Sequence, residues 1–175
     1  MNLYLFNDND IAATFGIGTY INELKHALDG SAIRIHIVHL HSVRPVFEIT
    51  KMDRIENWYI PEVRNHNTYE GDNKQIEQYY FNVIYLLRVH IKDTKDLVFH
   101  FNFNLCKSLA KGLKEVFECK TVTAIHFIKW ELELHGNSQK YHLLKSKPKN
   151  QRTLPERFLF STDEYEDLLY REVDR

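Results

Sequence analysis

The chain has 175 residues, 43 % hydrophobic and 27 % charged, with 23 Lys and Arg against 24 Asp and Glu. This ordinary globular composition excludes a disordered, collagen-like or disulfide-scaffold protein, and a net charge of −1 leaves nothing global to recruit nucleic acid. No apolar run reaches the roughly 18 residues of a membrane helix, and no basic flank, apolar core and small-residue cleavage site mark a signal peptide.

In chain order, four short and nearly uninterrupted apolar runs read as buried strands: 3–6, 33–40, 97–101 and 121–125. Helical patterns separate them. Residues 19–28 put Tyr20, Ile21, Leu24, Ala27 and Leu28 on one stripe, with Gly30 after the end. Residues 105–117 repeat the pattern with Leu105, Leu109, Leu113, Val116 and Phe117, and residues 74–90 carry apolar groups on several faces. Between the second strand and that dense helix, 46–61 reads as an inserted β-hairpin, followed by a loop over 62–73. Strands alternating with helices predict an α/β fold, an open parallel Rossmann-like sheet with helices on both faces.

The last third is less regular. Residues 140–152 carry five basic groups and no acid, and Pro148 interrupts any helix, so the stretch reads as a solvated loop. It could also touch anionic lipid. Thr162 is placed as the N-cap of a last helix, with Asp163, Glu164 and Glu166 in its first turn. A doubly wound sheet would normally continue with a strand after that helix, so a further segment is expected there.

Gly16-Ile17-Gly18-Thr19-Tyr20 opens the first helix. Glycines at a helix N-terminus let an anion such as a diphosphate approach backbone N–H groups. The third glycine of a dinucleotide fingerprint and the Gly-Lys-Ser/Thr of a P-loop are both missing, and an ordinary βα loop is the other reading. Histidines gather at strand ends: His126 after 121–125, His100 within 97–101, and His39 with His41 ending the second strand. In an open parallel sheet ligands bind outside the carboxyl ends. A neutral imidazole there can bond a sugar hydroxyl or phosphate, or act as a base. Hydrogen-bonded structural histidines are the alternative. His39 and His41, two apart, would share one strand face and could begin a metal site, for which no third ligand is evident. Trp58, Tyr59 and Tyr69 could stack on sugar rings or simply pack. Asp8 and Asp10 lie in a plain loop and make no acidic cluster of the receiver-domain kind. Cys106 and Cys119, without metal-type spacing, read as free thiols of a reducing compartment.

The order of these pieces resembles the N-terminal domain of GT-B glycosyltransferases, and within them the glycogen-synthase-like and sucrose-synthase-like group that builds surface polysaccharides. The matching segments are 16–20, 97–102, 121–126 and 172–175, in an order that spans nearly the whole chain. Two departures are Thr14-Phe15 where that family usually has two glycines, and Phe127 where Asp often follows the histidine. The resemblance implies that residues 1–175 are the acceptor-side Rossmann-like domain, lacking the C-terminal nucleotide-sugar-binding domain, and therefore inactive alone. It implies that Gly16, Gly18 and Thr19 lie near the donor diphosphate and that His126 hydrogen-bonds the transferring sugar. His100 and His41 would bind the acceptor. The co-substrate would be a nucleotide-sugar and the acceptor a saccharide or lipid-linked saccharide, with no metal and no other cofactor. The expected partners are these substrates, the missing domain and the membrane surface, without nucleic acid, and the expected place is the cytoplasm, at the membrane's inner face. The competing expectation is a non-catalytic nucleotide- or protein-binding α/β module.

Overall fold

The structure, a computed structural model, describes residues 1–8, 16–62, 73–103 and 106–174. Strand β1 (Asn2–Asn7) is buried at every position, as an apolar strand flanked on both edges and covered on both faces must be. It pairs in parallel with β2 (Arg34–Ser42) on one side and β5 (Leu97–Phe101) on the other. Strands β3 (Glu48–Met52) and β4 (Ile55–Pro61) form the inserted hairpin, turning at Asp53 with φ 54°. The parallel partner of β2 is β4, and β6 (Cys119–Thr123) closes the other side. The order is β3-β4-β2-β1-β5-β6, parallel except for the edge strand β3. This is a Rossmann-like α/β sheet.

Alternation along the strands divides the core. Leu3, Leu5, Ile35 and Ile37 face helix α1 (Gly16–Ala27), which contributes Ile21. Tyr4, Phe6, Val38, Leu40, Phe99 and Phe101 face the opposite layer of α2 (Asn73–His90), α3 (Lys107–Val116) and α6 (Leu154–Glu172). Helices α2 and α3 approach closely at Gly112, where a β-carbon would overlap Ile84 Cδ1.

Three expectations are corrected. Helix α1 starts at Gly16, not Thr19; the first N–H groups of a helix need no intrahelical partner, so two glycines cost little there. Most of residues 140–152 are not loop. Helix α5 (Ser138–Ser146) is capped by the Asn137 side chain, which accepts from the Lys140 N–H, and ends two residues before Pro148; a single 3₁₀ turn follows. The basic groups of 140–152 face an acidic row on α6: Lys145–Asp163 at 3.0 Å, Lys147–Glu156 at 2.8 Å and Lys149–Glu164 at 3.2 Å. Finally, α6 begins two turns earlier than its acidic cluster. Thr153 and Glu156 form a reciprocal capping box with Pro155 beside them, which satisfies two orphan N–H groups. Thr162 lies mid-helix, its hydroxyl donating to the Phe158 carbonyl.

Beyond α6, Asp174 reaches the outer edge of β6. Its N–H donates to the Thr121 carbonyl at 2.8 Å, and its carboxylate accepts from the Thr121 N–H at 2.8 Å.

Candidate functional site

The topology selects one place. From β1 the chain crosses to β2 on one side; from β5 it crosses to β6 on the other. The carboxyl ends of β1 and β5 are therefore the switch point, where connecting segments diverge and a crevice opens. Two asparagines mark it. Asn7 ends β1, and Asn102 follows β5 with its N–H on the Phe6 carbonyl at 3.0 Å. Asn102 Nδ2 donates to Asn7 Oδ1 at 3.4 Å, and both residues are buried. The Asn102 Oδ1 accepts no hydrogen bond among the described residues.

On the α1 side of this edge, His100 pairs in register with Leu5. Its Nε2 shares a 3.3 Å hydrogen bond with the hydroxyl of Tyr20 in the second turn of α1. The Tyr20 ring also meets the His126 ring edge-on, with centroids 5.2 Å apart. His126 is exposed three residues beyond β6, whereas His100 is 9 % exposed beneath Tyr20. Burial lowers the His100 pKa, and the neighbouring His126 lowers it further; burial also lowers His126 and raises the Tyr20 hydroxyl. Both shifts favour the neutral imidazole. A neutral imidazole carries one donor and one acceptor, which is what a hydroxyl ligand requires. His126 is the member that solvent, and hence a ligand, can reach.

The other expected residues distribute as follows. Gly16 and Gly18 are in the first turn of α1, beside this trio. Gly16 is exposed with no described atom within 4 Å of where a β-carbon would stand, Gly18 is buried and Thr19 is exposed. Asp10, Thr14, Phe15 and Tyr69 lie outside the described residues. Trp58 is core, its ring edge against Tyr4. Tyr59 stacks on His39 at 4.7 Å, with the Arg44 guanidinium 3.4 Å over its ring. Cys106 is buried and Cys119 half-buried, both free thiols; burial raises both, Cys119 to about 11.

His39 and His41 do not share a face. The β2–β4 register shifts between His39 and Ser42, and His41 takes φ 48°. That irregularity breaks the period-two alternation. His39 stays with Tyr59 and bonds Asn57 Oδ1 at 3.3 Å. His41 instead stacks on Tyr79 of α2 at 4.2 Å, its N–H donating to the Tyr79 hydroxyl at 2.7 Å. The shared face expected of the pair is lost, and no group of three His, Cys, Asp or Glu suited to a metal occurs among the described residues. His41 is thereby also separated from His100, across the sheet from α1. Asp8, exposed as a residue, has protein packed around its carboxyl that raises its pKa, against the opposing pull of His41.

The sequence pattern missed Tyr20, which reads as one more apolar position on the α1 stripe, and the two asparagines. Asn7 and Asn102 did carry a signal: each is the polar residue directly after one of the apolar runs, 3–6 and 97–101 (the latter interrupted by His100), that lead to the ligand-binding edge. No helix among the described residues is long and apolar enough to cross a membrane. No family model, curated protein or solved structure matches the chain.

Proposed function

We propose that this chain is the acceptor-side domain of a GT-B-type glycosyltransferase, which moves a sugar from a nucleotide-sugar donor to a saccharide or lipid-linked saccharide acceptor. The observation behind this reading is the Tyr20–His100–His126 trio beside the first turn of α1 at the sheet's switch point. His126 hydrogen-bonds the transferring sugar, and Tyr20 fixes His100 beneath it. The exposed Gly16, with no β-carbon, lets the diphosphate approach the α1 N-terminus, where N–H groups and the helix dipole favour negative charge. Transfer needs donor, phosphate and acceptor held together between two domains, so the 175-residue chain alone binds donor weakly and transfers nothing.

The test is a backbone and histidine NMR titration of the chain with UDP-glucose, GDP-mannose, UDP-N-acetylglucosamine, UDP, GDP and the free sugars at millimolar concentration. Saturable shifts are expected at Gly16, Tyr20, His100 and His126, weakened in Gly18→Val and His126→Ala. Shifts caused equally by nucleotides without sugar and indifferent to His126→Ala would replace this reading with a nucleotide-binding module. No shift at these residues with any ligand, or sugar turnover by the chain alone, would overturn it.

A further inference from the structure

Helix α2 spends one stripe on the sheet, where Tyr79, Tyr80, Val83 and Leu87 are buried. Its outward side carries a second apolar set: Phe81, Tyr85 and Val89, which are 65, 62 and 43 % exposed. Exposed apolar residues scattered singly, such as Leu132 on helix α4 (Lys129–Glu133) and Leu143 on α5, need no explanation. Two aromatic rings and a valine on consecutive turns of one helix form a patch, and such patches mark surfaces that a partner covers. Gln78, Phe81, Tyr85 and Arg88 succeed one another at spacings of 3, 4 and 3. That is the seam of a helix that packs on a second helix at a shallow angle, about 20°.

The charges beside the patch say which helix that is. Glu77 and Arg88 are both exposed and eleven residues apart, about three turns, so they stand on one flank of the seam. Neither pairs with an opposite charge among the described residues. When two identical helices pack antiparallel about a two-fold axis, each flank meets its own counterpart. Glu77 of one copy then faces Arg88 of the other at both ends of the contact, whereas a parallel pair sets like charges together. The rings select the same axis. The midpoint of Glu77 and Arg88 and the midpoint of Phe81 and Tyr85 both fall within half a residue of Val83 along the helix. One two-fold axis therefore satisfies charges and rings together, and this self-complementarity fits a second copy of the chain.

We propose that α2 joins two copies of the chain as an antiparallel helix pair, with Phe81 of each copy against Tyr85 of the other. Aromatic rings in such offset contacts contribute beyond the area they bury, and each Glu77–Arg88 pair closes one end of the seam. A contact through one short helix is smaller than the roughly 800 Å² per partner of a standard interface, so the dimer is weak and reversible. The inference goes beyond sugar transfer and does not depend on it. Helix α2 lies across the sheet from α1, and the pairing leaves the Tyr20–His100–His126 side open.

Sedimentation velocity of the chain from about 10 μM to about 1 mM, the range of weak interfaces, tests the proposal. A reversible monomer–dimer equilibrium is expected. Tyr85→Ser should weaken it about tenfold, because a ring is lost from both copies. Glu77→Arg and Arg88→Glu should each weaken it about tenfold, because attraction turns to repulsion at two places. A one-to-one mixture of those two variants should regain the dimer, since each supplies the charge that the other lacks. All three positions are exposed, and circular dichroism confirms that each variant is folded. A monomer at every concentration, a dimer indifferent to Tyr85→Ser, or a mixture that associates no better than its separate components would refute the proposal.

Discussion

On one face of the sheet a single helix, α1, covers Leu3, Leu5, Ile35 and Ile37. On the other, α2, α3 and α6 cover a layer dominated by rings, with Tyr4 against Phe99, Phe99 against Phe6, and Phe6 against Phe101. The histidines follow this difference. On the ring-filled face, His36 is clamped against Tyr4 with centroids 4.2 Å apart, its Nδ1 on Glu56, and His41 is stacked on Tyr79. On the α1 face, α1 is the one helix over the sheet among the described residues, and the exposed His126 lies beside Tyr20 and His100. A thickly covered face turns polar groups into packing; a thinly covered one leaves them available to a ligand.

The largest expected effect lies on the ring-filled face. Phe99→Ala removes a fully buried ring that contacts Tyr4, Phe6 and Phe117, at a cost of about 3–5 kcal/mol. On the thin face, Leu5→Ala should cost about 2–3 kcal/mol, near the lower end for such changes, because one helix can settle into the gap. Urea unfolding measures both, and an equal or larger loss for Leu5→Ala would break the comparison.

Smaller effects are expected in α6, which closes the ring-filled face through Leu169. Thr153→Ala removes the capping box and should cost about 1 kcal/mol. Thr162→Ala, at the position where the charge pattern put the cap, should change stability by less than about 0.5 kcal/mol. Thermal unfolding of the two variants separates the observed helix start from the expected one.

The finest distinction is in protonation. Burial lowers the pKa of both His36 and His100, but their neighbours act oppositely: Glu56 raises His36, whereas His126 lowers His100 further. Glu56→Gln should therefore depress the His36 titration further, and His126→Gln should move that of His100 upward. Two-dimensional NMR of the imidazole protons reads both, and shifts of the same sign would overturn the contrast. Since both folded-state values lie below the unfolded value of about 6.5, the unfolded chain binds more protons in that window. Stability from these two groups is complete above about pH 6.5 and is lost as pH falls through the folded-state values. Denaturant midpoints at pH 7.5 and 5.5 check the sign; a flat profile in His36→Phe combined with His100→Gln would assign the slope to them.

Much of the architecture could be read from local pattern. The run 97–101 coincides with β5, and the hairpin over 46–61 contains β3 and β4. Continuous apolar runs occur in strands covered on both faces, so the Rossmann-like sheet follows from the residues themselves. The parts that local pattern misplaced depend on partners distant in sequence. The basic run 140–152 reads as solvated because its acids are on α6. Tyr20 reads as core because the stripe does not reveal that His100, eighty residues later, ends beside it.

The amino-acid sequence alone determined the strand and helix order as far as β6, the apolar layers and the presence of histidines near carboxyl-terminal strand ends, because each is a short-range consequence of burial period. Only the tertiary structure decided which histidines meet. A register shift after His39 reverses the direction of His41, and the crossover to β5 brings His100 beneath Tyr20. Side-chain direction at an irregular strand end depends on the hydrogen bonds to the neighbouring strand and on the helix above it, and neither is encoded in the spacing of residues along a single segment.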